Sequence, residues 1–214
     1  MNDDEIIKFC FKLHISISDS TNYDTYDNDY ISYFSSPIIN EKIDENSEII
    51  ESNEIGKIEL IYLHGNRAFD NDLDIVDICD AEYQELYDYV RYIYHNGLIS
   101  EKLNDSATSN DILILDKISI DKLYQGKELG LIISRKMIDF FGNSCGGIVI
   151  KPFPLQFSIG YPDKEKFDTK FISEKFSDNF EIGRKKILNY WKKLSKNCKT
   201  IKINKSETII YIPK

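Results

Sequence analysis

Glycine, proline and cysteine are scarce in this chain, at 10, 5 and 4 of 214 residues. So little glycine and proline excludes collagen-like and low-complexity linker architectures, in which those residues dominate. The four cysteines, Cys10, Cys79, Cys145 and Cys198, lie far apart. They make neither a CxxC redox pair nor a zinc knuckle, and no metal is expected. Each sits in or beside an apolar run, which predicts buried free thiols and suits a reducing cytoplasm. No uninterrupted apolar stretch approaches the ~20 residues of a membrane helix. The acidic start, Met1 to Glu5, argues against a signal peptide. A cytoplasmic protein with no membrane partner is therefore expected. Positive charge is the sparser sign, with 27 Lys and Arg against 36 Asp and Glu and a net charge of −9. That field repels nucleic acid and anionic lipid, and mildly favours cationic partners such as amines.

What the chain does have is apolar and aromatic mass, 42% and 13% of its residues. That is enough for one full core, and residues 1–214 read as a single domain without repeat or linker. Alternation predicts a strand at Phe9 to Ser18, and Tyr30 to Ile39 (ended near Pro37) and Lys57 to His64 (after Gly56) read as two more. The intervening Ser18 to Asp29 and Asn40 to Glu54 are polar and read as a loop and a solvated turn region. Asp80 reads as the N-cap of a helix carrying Tyr83, Leu86, Tyr87, Val90, Ile93 and Tyr94, with Gly97 as its C-terminal cap. A strand at Ile112 to Ile120 leads through the turn Asp121 to Glu128 into a helix, Leu129 to Phe141. Its inner face is Leu129, Ile133, Met137 and Phe140. Its outer side is Ser134, Arg135, Lys136 and Asp139. A short strand, Ile148 to Lys151, follows. Residues 157–180 read as an irregular insertion, Gly183 to Leu194 as a helix, and Thr200 to Ile212 as a hairpin turning near Asn204 to Ser206. This order implies an α/β (or α+β) fold, a mixed sheet covered by helices.

The segment from Ile112 to Gln156 carries the chemistry. A buried strand enters a polar turn and then a helix start, whose unpaired N–H groups and positive dipole end favour anions. Gly126 and Gly130 allow backbone to approach a ligand closely. Lys122, Lys127, Arg135 and Lys136 make this a basic neighbourhood in an acidic chain.

Here the sequence resembles the Gcn5-related N-acetyltransferase (GNAT) family. Its pyrophosphate loop, Gln/Arg-x-x-Gly-x-Gly/Ala, is similar to Gln125-Gly126-Lys127-Glu128-Leu129-Gly130, with Glu128 where the family keeps its central glycine. Ile118-Ser119-Ile120 precedes the loop at the family's spacing. Lys151-Pro152-Phe153-Pro154-Leu155-Gln156 looks like the end of the following strand in a bacterial subgroup. Tyr190-Trp191-Lys192-Lys193-Leu194-Ser195 resembles the late-helix Tyr-Tyr/Trp-x-x-Leu-Gly motif, with Ser195 for glycine. The resemblance implies a sheet with helices on both faces and splayed parallel strands forming an acyl-CoA cleft. It implies acetyl-CoA as acyl donor, held by Ile118, Ile120, Gln125, Gly126, Lys127, Leu129 and Gly130. It also implies a small-molecule or peptide amine as acceptor, and it is compatible with a homodimer.

Acyl transfer to an amine needs a base for the ammonium proton and an acid for the departing thiolate. Asp116 is the first candidate base. Simple alternation puts it on one face with Ile114, Ile118 and Ile120, where burial would raise its pKa. The competing reading is a hydrogen-bonded carboxylate at a sheet edge. His64 is a second candidate, weighed against a structural histidine. Tyr190 is the candidate acid, because Trp191 takes the position the family gives to its tyrosine. Core packing is the competing reading for both. Two further functions stay open: a degenerate relative that binds CoA or a protein without turnover, and an acidic interaction module using its Tyr-rich N-terminal half.

Overall fold

A computed structural model describes residues 5–9, 12–14, 29–82, 84–154, 177–205 and 207–214. Its frame is one sheet, in the order β1 (Glu5–Phe9), β3 (Ile31–Ile43), β4 (Ile49–Leu63), β7 (Ile112–Ile120), β8 (Gly147–Ile150), β10 (Thr208–Pro213), β9 (Lys199–Lys202), with β2 (Lys12–His14) also on β3. All neighbours are antiparallel except β7 and β8, which run parallel. The predicted mixed sheet is therefore present. Its parallel pair brackets α4 (Leu129–Phe141), the crossover that a parallel pair requires.

Alternation sends side chains into two apolar layers. Ile61, Leu63, Ile112, Ile114, Val149, Ile209 and Tyr211 pack under three helices, α1 (Gly65–Asp70), α2 (Ile75–Glu82) and α3 (Gln84–Val90). Ile58, Leu60, Leu113, Leu115, Ile148, Ile150, Ile210 and Ile212 pack under α4 and α5 (Phe180–Trp191). Burying a residue of this size stabilises by about 1.5–3 kcal/mol. The central strands thus hold the fold from both sides.

Four expectations are corrected. Residues 40–54 are mostly strand, not a turn region: β3 and β4 pair from Ile31↔Leu63 to Ile43↔Ile49, and only the residues between them turn. The distal ribbon on β4 is solvated, residues 49–54 being exposed, so its strands are polar and show no apolar alternation. Cross-strand pairs such as Lys42 to Glu51 (2.7 Å) substitute for a core there. Nor does Pro37 end its strand. The strand runs on through it, Pro37 standing opposite Lys57 of β4.

The helix expected after Asp80 opens earlier, helix being described over Ile75–Glu82 and Gln84–Val90. Asp74 rather than Asp80 caps the first, its carboxylate accepting from Val76 N–H at 2.8 Å. Tyr94 and Gly97 leave the helix for a small hairpin, β5 (Tyr94–His95) and β6 (Leu98–Ile99). Asn96 (φ 53°) and Gly97 (φ 75°) form the two left-handed positions of its tight turn. On α4, Phe140 is 75% exposed and Ser134 is fully buried, its hydroxyl donating to Gly130 O at 2.7 Å. The inner stripe instead takes Leu131 and Phe141, whose ring lies 5.0 Å from Phe34.

Other elements agree with expectation. Residues 199–213 form the predicted hairpin. The late helix opens three residues early, where Asn179 accepts from Ile182 N–H, and continues as a 3-10 turn to Leu194. Cys79 and Cys145 are buried free thiols as expected, but Cys198, also expected to be buried, is partly exposed. The strand end after His14, most of the loop at 18–29, Tyr83, Leu155, Gln156 and residues 157–176 of the expected insertion lie outside the described residues, as does Cys10. No helix among the described residues is long and apolar enough to cross a membrane.

Candidate functional site: a cleft at the split parallel pair

The site arises from one interruption in a ladder. Along β4 and β7 the register runs to Glu59↔Lys117 and resumes at Leu60↔Leu115, so Asp116 has no opposite number on β4. This is a β-bulge, which bends its strand and re-aims side chains. Before it, Leu113 and Leu115 face α4. After it, Ile118 and Ile120 face the same layer. The sequence-based face for Asp116, shared with Ile114, is therefore corrected, because Ile114 points into the opposite layer. The extra residue resets the alternation.

On its other side β7 pairs with β8 only from Ile112↔Gly147 to Leu115↔Ile150. Beyond the bulge the two strands are no longer paired, and a cavity of about 490 Å³ opens between them. It is floored by Leu115, Ile118 and Ile150, walled by Tyr190 and Trp191 of α5, and closed at one end by Gln125 to Gly130 apart from Lys127. Its mostly apolar lining, with the polar loop at one end, suits a ligand with an apolar part and a charged head.

Of the residues singled out from sequence, Asp116, Ile118, Ile120, Gln125, Gly126, Leu129, Gly130 and Tyr190 all line this cleft. Lys127 does not. Its ammonium turns to the Tyr124 ring, 5.5 Å from the centroid. His64 stands at the other end of β4, beyond Leu63↔Ile112, hydrogen-bonded to Ser32 at 2.9 Å. The structural reading of that histidine stands.

The loop is built for a helix start. Asp121 accepts from Leu123 N–H, and the Gln125 amide donates to Ile120 O at 2.7 Å, tying the turn to the strand end. Gly126 is left-handed (φ 84°) with open space where a Cβ would project. Glu128 is left-handed as well (φ 57°) and caps α4. That conformation costs a non-glycine residue about 1 kcal/mol. The Glu128 carboxylate reaches Lys193 Nζ at 2.8 Å, and the hydrogen bond from Lys193 holds its pKa below the ordinary range. The negative charge of Glu128 in the loop is thus partnered.

Burial raises the Asp116 carboxyl to about 6, with Glu59 adding to the shift and Lys117 opposing it. At pH 7 such a group is about nine-tenths ionised, yet a far better proton acceptor than an ordinary aspartate. Tyr190 is also raised, chiefly by burial. Its oxygen accepts from Leu131 N–H at 3.2 Å, so the hydroxyl hydrogen remains free to be donated. Sequence reasoning missed Lys193 as the partner of Glu128, and Lys151 at the far edge of the split. Both partners lie more than sixty positions away along the chain, Glu128 from Lys193 and Glu85 from Lys151, and no local pattern announces such pairs.

No protein-family model, curated protein or solved structure matches the chain.

Proposed function

We propose that the protein is an N-acyltransferase of the GNAT type, transferring an acetyl group from acetyl-CoA to a primary amine by direct attack in a ternary complex. One observation carries this reading: a parallel strand pair, split at a bulge, opens into a cleft that ends at the N-terminus of the crossover helix. The pantetheine arm lies along β7 beside Ile118 and Ile120. The pyrophosphate meets the first N–H groups of α4 and the amides of Gln125 to Gly130. The thioester carbonyl reaches the split, where Asp116 takes the ammonium proton of the acceptor. Tyr190, on the opposite wall, returns a proton to the departing thiolate.

Calorimetric titration with acetyl-CoA tests the cleft, and release of free CoA on adding a panel of primary amines tests transfer. Micromolar binding with amine-dependent release is expected. Absence of binding at millimolar acetyl-CoA overturns the proposal. A second reading, a CoA-binding protein without turnover, is favoured by Tyr190 being engaged at the helix start and by Trp191 standing buried beside it. Binding without CoA release from any amine would select it.

A further inference from the structure

Positive charge is sparse in this chain but not evenly spread. Arg184 to Lys205 holds nine Lys and Arg and no Asp or Glu, while the remaining residues set 18 Lys and Arg against 36 Asp and Glu. The run lies on α5, on the 3-10 turn that continues it and on β9. Helical spacing sorts its first half. Ile187, Leu188, Trp191 and Leu194 turn into the apolar layer. Lys186 and Lys193 line the cleft. Lys185, Lys192 and Lys196 are exposed. Lys193 is paired with Glu128, but Lys185, Lys186, Lys192 and Lys196 make no ion pair among the described residues. The outer side of α4 adjoins them, since the Arg135 guanidinium donates to Lys193 O at 3.3 Å and Lys136 next to it is exposed. A basic patch thus starts at the rim of the cleft, on a molecule that is otherwise strongly acidic. Its unpaired ammonium groups repel one another, and an acidic partner relieves that repulsion. A nucleic acid or an anionic membrane extends well beyond such a patch and meets the surplus carboxylates around it. A small, compact acidic protein does not.

The cleft beside the patch takes a phosphopantetheine arm in the reading given above, and this inference rests on that reading. Such an arm reaches an enzyme either on CoA or on a serine of a small acidic carrier protein. We propose that an acyl carrier protein is a second and preferred acyl donor, docking its acidic surface on Lys185, Lys192 and Lys196 while its arm enters the cleft past Lys186 and Lys193. The acceptor nitrogen adds to the thioester carbonyl carbon, forming the C–N bond. The C–S bond breaks, and the sulfur of the arm leaves with the electron pair. Of the two protons the acceptor ammonium gives up, one passes through Asp116 to solvent and the other goes to the thiolate. The products are the amide, the carrier with a free thiol and one proton.

The test is binding of the full chain, by calorimetry at low salt, to four probes: acetyl-CoA, an acyl carrier protein bearing an acetylated arm, the same carrier without its arm, and a short RNA. The acetylated carrier should bind at least about tenfold tighter than acetyl-CoA, and the carrier without its arm distinctly more weakly than the acetylated one. The triple variant Lys185→Gln, Lys192→Gln, Lys196→Gln should lose about tenfold for the carrier and keep its affinity for acetyl-CoA. Salt near 0.5 M should abolish the difference between parent and variant. If acetyl-CoA binds but the carrier does not, or the variant binds the carrier as the parent does, this inference fails and the acyltransferase reading survives. The same holds if the arm adds nothing to carrier binding, or if the RNA binds the patch more tightly than the carrier. If neither acetyl-CoA nor the acetylated carrier binds, both fall together.

Discussion

A single carboxyl, Asp116, sets stability against chemistry. Its pKa in the folded chain is about 6 and its ordinary value is 3.8, so the folded state favours the protonated form. That preference is fully present below pH ~4 and disappears as the pH rises through 6, leaving a charged group buried at a cost. Asp116→Asn removes the charge and keeps the shape. It should stabilise the protein by about 1–2 kcal/mol at pH 8 and by almost nothing at pH 4, as read from urea midpoints at the two values. If the proposed acyltransferase function holds, the same variant should lose acyl transfer, because an amide cannot take the proton. If it is no more stable at pH 8 than at pH 4, the carboxyl is better solvated than its position at the bulge implies.

At the scale of elements, the N-terminus of α4 is fastened by a tyrosine from α5. A Cβ placed on Gly130 would lie 2.8 Å from the Tyr190 oxygen, and that oxygen accepts the Leu131 amide. Gly130→Ala should push the ring away and cost about 1–3 kcal/mol in thermal or chemical unfolding. Placed in a Tyr190→Phe background, where the nearest ring atoms stand at 3.6 Å, the same substitution should cost markedly less. Equal costs in the two backgrounds would show that the two residues do not meet. Much at this scale was legible in the sequence. The 3.6 period of Leu129 to Phe141 after a polar turn marked α4, and the Ile- and Leu-rich run marked β7. The bulge was not legible, because one extra residue leaves composition unchanged and the phase shift shows only against β4. The Asn96-Gly97 turn carried a clear hairpin signal, but the helical spacing of Tyr87, Val90 and Tyr94 outweighed it. The site residues on one continuous loop were found. Lys193, the partner of Glu128, and the Lys151–Glu85 pair, brought close only by tertiary packing, were not.

The whole molecule depends on a strand that arrives late in the sequence. β8, one arm of the split, pairs with β7 on one edge and with β10 on the other, Ile150 meeting Ile210. Both are buried, as are Ile209, Tyr211 and Ile212. A variant ended after Glu207 should therefore lose its cooperative unfolding transition and bind a hydrophobic dye, rather than retain a native core with a frayed edge. A sharp transition in that variant would show that β7 and β8 stand without β10. The position of β10 also has a consequence for synthesis. A ribosome delivers residues in order, so Ile148 to Ile150 emerge long before the strand that covers them. For that interval the nascent chain carries an open, Ile-rich edge, and a slow codon or a stall between 151 and 207 would prolong its exposure to other nascent chains. Holdase chaperones that shield apolar segments are the expected companions of this protein during translation, and its yield on expression should follow their supply.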